Sequence, residues 1–198
     1  KKQYLEQADY YLEYINRWNS STRTEKMSMC SVDSFGNRFH SPFTFLPSFV
    51  RKYVVAKDLT EMVCLDLKQS QPTISAKMVY DKFGENEFTK TVSSEYLYDR
   101  FPYTSSIAKK KFLIGIFSKG SNAHYKELSV LFPDLGRFIR SIKKMDLYRG
   151  GTKLPKYKNT SYLLQREESK IFRLIWKKLL DANIRFINVH DAVYVDKY

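Results

Sequence analysis

Apolar residues recur at helical spacing over residues 4–18, where Tyr4, Ala8, Tyr11, Leu12, Ile15 and Trp18 share one face. The polar run NSSTRTEKMS (19–28) then reads as a loop, and residues 34–54, broken by Pro42 and Pro47, as irregular or short extended pieces. EMVCLDL (61–67) is a short apolar run and reads as a buried strand. A helix is expected from Thr73, after Pro72, and a turn at GENEFTK (84–90). Residues 105–120 predict a helix with Ser at its start and Gly120 beyond its end. FPDLGRFIRSIKKM (132–145) predicts another, with Leu135, Phe138, Ile139, Ile142 and Met145 inward. GGTKLPKYKNTSY (150–162) reads as a basic, flexible loop. Residues 163–180 form a long helical pattern with Ile171, Leu174, Ile175 and Leu179 on one stripe. FINVHDAVYV (186–195) closes the series as strand, turn, strand. Helices and strands mix without a regular βαβ rhythm, so the expected class is α+β.

Composition adds a partner class. The chain has 198 residues, with 34 Lys and Arg against 21 Asp and Glu, a formal net charge of +13. That excess favours a polyanion, because each neutralised phosphate releases counterions. The bland alternative is a basic protein with no special ligand. No run of about 18 apolar residues exists, so no membrane partner is expected. The start reads as an amphipathic helix and not as an apolar leader. Cys30 and Cys64 form neither a CxxC pair nor a disulfide framework, which fits a reducing, intracellular setting.

Two carboxylates carry the candidate chemistry. Asp66 closes the strand MVCLDL, and Asp191 sits in the turn of FINVHDAVYV. Neither has Lys or Arg beside it in its own strand. Brought together, such carboxylates repel unless a divalent metal neutralises them. Two-metal phosphoryl transfer uses that arrangement. The alternative is that each Asp is only a turn or cap residue.

Three stretches resemble, in order, motifs A, B and C of the family A (DNA polymerase I-like) DNA polymerases. Motif A there is Asp-x-x-Gln, then one residue, then usually Glu; here Asp66 and Gln69 match and Gln71 stands at the Glu position. Motif B is a helix with a Lys and then an aromatic residue and a Gly eight and nine positions on. Lys111 and Gly120 fit, with Lys119 in the aromatic place, Gly115 where another aromatic is usual, and Ile107 where an Arg is usual. Motif C is a strand–turn–strand with His-Asp at its tip, matched by His190 and Asp191. The helix over 163–180, with Gln165 near its start, resembles the one that leads into motif C. Residues 35–54 resemble the primer–template-holding stretch before motif A, with Arg51 as the contact.

The resemblance implies a polymerase palm with a small antiparallel sheet and helical fingers, in a compact phage- or plasmid-like relative. Residues 1–55 would be an N-terminal helix and primer–template segment, 56–80 palm with motif A, 81–160 small fingers, and 161–198 palm with motif C. It implies that Asp66, Asp191 and the Leu67 carbonyl hold two Mg²⁺ ions. Lys111, Gln71, Gln69 and Lys119 would face the deoxynucleoside triphosphate, with Gln71 at the sugar. Arg51, His190 and Gln165 would face the DNA primer–template. Further polymerase or replication domains would be partners, and the place would be cytoplasm or nucleoid, with a virus or mobile element as a further source.

Competing expectations differ in class. One is a single-subunit RNA polymerase or primase with the same metal pair. Another is a catalytically decayed nucleic-acid-binding module. A His-Asp phosphohydrolase needs more ligands, and His40 and His124 stand at no suitable spacing for it.

Overall fold

A computed structural model describes the backbone of residues 2–51, 53–55, 58 and 60–197, and side chains from residue 10 onward within those ranges. Along the chain run α1 (Lys2–Ser20), α2 (Arg23–Ser28), β1 (Ser31–Val32), β2 (Phe39–His40), α3 (Pro42–Phe45), α4 (Ser48–Arg51) and β3 (Met62–Asp66). Then come α5 (Ser70–Phe83), α6 (Glu87–Ser94), α7 (Ser105–Phe117), α8 (Ala123–Leu131) and α9 (Pro133–Lys144). The short hairpin β4 (Tyr148–Arg149) and β5 (Thr152–Lys153), the long helix α10 (Asn159–Asp181), β6 (Phe186–Val189) and β7 (Ala192–Asp196) follow. The class is mixed α+β with small antiparallel sheets, as expected.

The chain divides into two compact units. Residues 1–33, 38–66 and 172–198 form a strand-containing unit; residues 34–37 and 67–171 form a helical one.

The strand unit is built on a three-stranded antiparallel sheet in the order β3-β7-β6. Its strands are the apolar arms that the pattern marks, and β-branched side chains suit a pleated, part-buried surface. Asn188, Val189, Ala192 and Val193 are its buried residues, whereas β3, expected to be buried, is an edge strand exposed from Val63 to Asp66. Val189 pairs with Ala192, so His190 and Asp191 alone make the turn. His190 takes a left-handed φ of 53°, which a two-residue hairpin turn of this hand requires. Trp176 donates its indole N–H to Asn188 at 3.0 Å, tying α10 to β6.

In α1, Leu12 is exposed while Tyr11, Ile15 and Trp18 are half-buried. Tyr4 and Ala8, expected on the same face, lie outside the described side chains. The polar run after α1 is not wholly loop. Thr22 Oγ1 accepts the Glu25 N–H at 3.3 Å and the Glu25 carboxylate accepts the Thr22 N–H at 2.7 Å. This capping box starts α2 without any apolar stripe.

The helical unit has an aromatic core. Phe88 lies 5.3 Å from Phe132 and 6.4 Å from Phe112, centroid to centroid, and Leu97, Tyr98, Val79, Ile116, Leu128 and Ile139 are fully enclosed around them. Helix α8 passes so close to α7 that a Cβ on Gly115 would sit 2.4 Å from Leu128 Cδ1 and 3.0 Å from the His124 carbonyl oxygen. The absence of an aromatic residue at position 115 therefore has a packing reason.

Several element ends differ from expectation. GENEFTK is a helix start and not a turn, because Asn86 Oδ1 caps the Thr89 N–H at 3.2 Å. Helix α5 begins at Ser70 and not at Thr73, because Pro72 falls in the first turn, where its missing N–H has no partner to lose. Helix α7 ends at Phe117, short of Gly120. Met145 lies past α9 and is exposed, whereas Leu135, Phe138, Ile139 and Ile142 are buried as expected. The supposed loop at 150–162 is ordered in three pieces. Gly150 and Gly151, with φ of 51° and 80°, turn β4 into β5; a 3-10 turn covers Lys156–Lys158; and α10 starts at Asn159. Buried Asn159 donates to the Ile142 and Met145 carbonyls at 3.0 and 2.8 Å, closing the end of α9. The stripe of α10 also differs: Leu164, Glu168, Ser169 and Phe172 are buried, while Leu174 is 64% exposed.

Candidate active site

Asp66 is the last residue of β3 and stands opposite Ala192, the first residue of β7. Asp191 is the residue before Ala192. Cross-strand Cα partners lie about 5 Å apart and bonded neighbours 3.8 Å, so the Cα atoms of Asp66 and Asp191 are within roughly 9 Å. Both residues thus belong to one corner of the sheet, Asp66 exposed and Asp191 half-buried. Antiparallel pairing of these two segments is the arrangement expected for a shared metal site.

Among the described residues, no three His, Cys, Asp or Glu side chains gather as metal ligands. The donor set here is a pair. Magnesium suits such a pair, because it keeps several waters and takes one or two carboxylates with substrate phosphate oxygens. The Leu67 carbonyl accepts the Ser70 N–H at 3.2 Å, and its second lone pair remains chemically competent to bind a cation.

His190 sits at the same corner. Its ring packs edge-to-face on His40, 5.3 Å between centroids. His40 Nε2 is 3.1 Å from Asp33 Oδ2, and Asp33 Oδ2 also accepts the Arg38 N–H at 3.0 Å. Linear spacing hides this pair of histidines, since the β1–β2 hairpin delivers one and the β6–β7 hairpin the other. Arg51 lines a small crevice with Phe43, Val54, Ile187, Val189 and Tyr194. Burial pushes the Tyr194 hydroxyl pKa up, and Cys64, its register partner, adds to this against the opposing pull of Arg51.

The helical unit holds the residues expected at the nucleotide. Gln69 occupies the left-handed position before α5, with φ of 57°. Its Oε1 accepts the Leu97 N–H at 2.7 Å and its Nε2 donates to the Glu95 carbonyl at 3.4 Å. Gln71 donates to Glu168 at 2.6 Å. The Lys111 ammonium rests on the Tyr103 ring, 3.3 Å from its centroid. Lys109, Lys110 and Lys119 are exposed, and Gln165 is half-buried on α10. In the basic segment before α10, Lys153 and Lys156 approach Asp146 at 2.8 and 3.6 Å.

Asp66, Asp191 and His190 are therefore brought to one place, with Arg51, on α4, in the crevice beside Ile187 and Tyr194 of the same sheet. Gln69 precedes α5 and Gln71 lies in its first turn. Glu168, His40 and Asp33 are additions that sequence patterns did not mark. No helix among the described residues is long and apolar enough to cross a membrane. No protein-family model matches the chain, and neither does any curated protein or solved structure.

Proposed function

We propose that the chain extends a primer 3′-hydroxyl with deoxynucleoside triphosphates under the direction of a template. The observation that carries this reading is the register of β3 on β7, which sets Asp66 one residue from Asp191 at the end of a three-stranded antiparallel sheet. The ordered likeness of the three sequence motifs to family A polymerases supports it. So does the net charge of +13, which suits a polyanionic substrate.

Asp66, Asp191 and the Leu67 carbonyl would hold two Mg²⁺ ions. When bound, such ions lower the pKa of the attacking hydroxyl and offset charge on the triphosphate. The new bond joins the primer 3′-oxygen to the α-phosphorus, and pyrophosphate leaves. Lys111 supplies a point charge for the β- and γ-phosphates. Its contact with Tyr103 is worth only about 0.5–1 kcal/mol at an accessible position, so a triphosphate can draw it away. Gln71 stands at the sugar. His190, Arg51 and Gln165 meet the primer–template, and Lys119 and Gln69 support the nucleotide side.

A second reading, a nucleic-acid-binding module without catalysis, is favoured by one observation: the side-chain amides of Gln69 and Gln71 are already used inside the protein. Primer extension with Mg²⁺, comparing deoxy- and ribonucleotides on DNA and RNA templates, separates these readings. Extension with deoxynucleotides supports the first. Binding of primer–template without extension supports the second.

A further inference from the structure

Glu168 is a carboxylate on the third turn of α10 with only 2% of its surface exposed. Buried carboxylates require hydrogen-bond donors. Two arrive from the first turn of α5: Ser70 Oγ at 2.5 Å and Gln71 Nε2 at 2.6 Å, both on Oε1. Charge-assisted bonds of this kind are short and about twice as strong as neutral ones. The identity of the acceptor also fixes the amide. A carboxylate only accepts, so Gln71 must present its NH₂ to Glu168. The Gln71 Oε1 atom is buried and accepts no hydrogen bond among the described residues. Rotation of the amide would therefore break a charge-assisted bond and set one oxygen against another.

We infer that Glu168 is a positioning residue for Gln71, and that it turns Gln71 into a fixed wall which admits deoxynucleotides and rejects ribonucleotides. The inference rests on the polymerase reading above. Bulk near a 2′-hydroxyl discriminates only if it cannot swing away. A glutamine with three rotatable bonds does not stay in place unaided; one anchored by a buried carboxylate does. Ser70 serves as the second donor that keeps the same oxygen in position. A purely structural link between α5 and α10 would lower stability in a Glu168 variant without distinguishing between sugars.

The test is the ratio of kcat/KM for deoxy- over ribonucleotide in primer extension, measured for the wild type, Glu168→Gln, Gln71→Ala and the double variant. Glu168→Gln keeps the volume and removes the charge. It is expected to lower the ratio about tenfold, the scale of a lost charged hydrogen bond. The double variant is expected to be no less selective than Gln71→Ala alone, because both changes release the same gate. Should Glu168→Gln fail to fold, Glu168→Asp withdraws the carboxylate by one methylene and is expected to lower the ratio likewise. An unchanged ratio in a folded Glu168 variant, or additive losses in the double variant, overturns the inference and leaves the polymerase reading standing. Wild-type protein that uses both sugars equally does the same. Wild-type protein that extends no primer overturns both.

Discussion

Asp66 and Ala192 are register partners on adjacent antiparallel strands, and this pairing places the Asp66 backbone beside the Asp191 turn. A slip by one residue would turn the side chains of β3 to the other face and separate the two carboxylates. The neighbouring pairs Leu65–Val193, Cys64–Tyr194 and Val63–Val195 hold that register.

The crossing of α7 and α8 depends on Gly115. Alanine there gains helix propensity of about 1 kcal/mol. It also meets Leu128 and the His124 carbonyl, and overpacking of this kind costs about 1–3 kcal/mol. Gly115→Ala is expected to be destabilising by about 1 kcal/mol on balance. Urea unfolding checks this, with a lowered midpoint at unchanged slope as the expected result.

Lys143 gives the helical unit a dependence on pH. Burial lowers its pKa to about 8, while its ammonium donates to the Ser118 carbonyl and lies 5.2 Å from the Tyr125 ring centroid. In the unfolded chain a lysine titrates near 10.4. Between about pH 8 and pH 10.4 the unfolded chain binds more protons at this site, so this residue makes stability rise with pH across that window. Unfolding midpoints at several pH values should show the rise in wild type relative to Lys143→Met. Parallel pH curves for the two proteins would contradict it.

Lys111→Ala is expected to raise the KM for the incoming nucleotide severalfold and to change primer–template binding little. The contact with Tyr103 keeps the ammonium on one side of α7. Steady-state kinetics and a binding titration check this together. The same phenotype in Lys110→Ala, with Lys111→Ala unaffected, would shift the motif B assignment by one residue.

Nucleic-acid binding should fall steeply with salt, by roughly tenfold or more between low and moderate ionic strength if a few phosphates are engaged. The charge of +13 motivates this. A titration of affinity against salt is the check, and a flat response contradicts the polyanion argument.

Part of this architecture is legible in the sequence. β3 is visible as a short apolar run, the β6–β7 hairpin because apolar arms flank a polar tip, and α9 because Leu135, Phe138, Ile139 and Ile142 recur at helical spacing. Helices α2 and α6 are hidden to hydrophobic periodicity, since their starts are fixed by side-chain caps at Thr22 and Asn86. The buried face of α10 misleads for another reason: the helix runs through both compact units, so no single stripe governs it. Glu168 looks like a solvated helix charge. Its burial is matched by donors from Ser70 and Gln71, nearly a hundred residues away. The candidate site was half visible on the same grounds. Asp66 and Asp191 stand out as carboxylates among apolar strands, whereas His40 and Asp33 join His190 only through folding.

The most direct test of the central claim is Mg²⁺-dependent primer extension by the wild type, Asp66→Asn and Asp191→Asn, with circular dichroism and primer–template affinity measured alongside. Asparagine keeps the size of each side chain and removes the charge that binds metal. The wild type is expected to extend the primer and each variant to lose this activity, with the fold and nucleic-acid affinity kept. Extension that survives in either variant, or an inactive wild type, would contradict the claim.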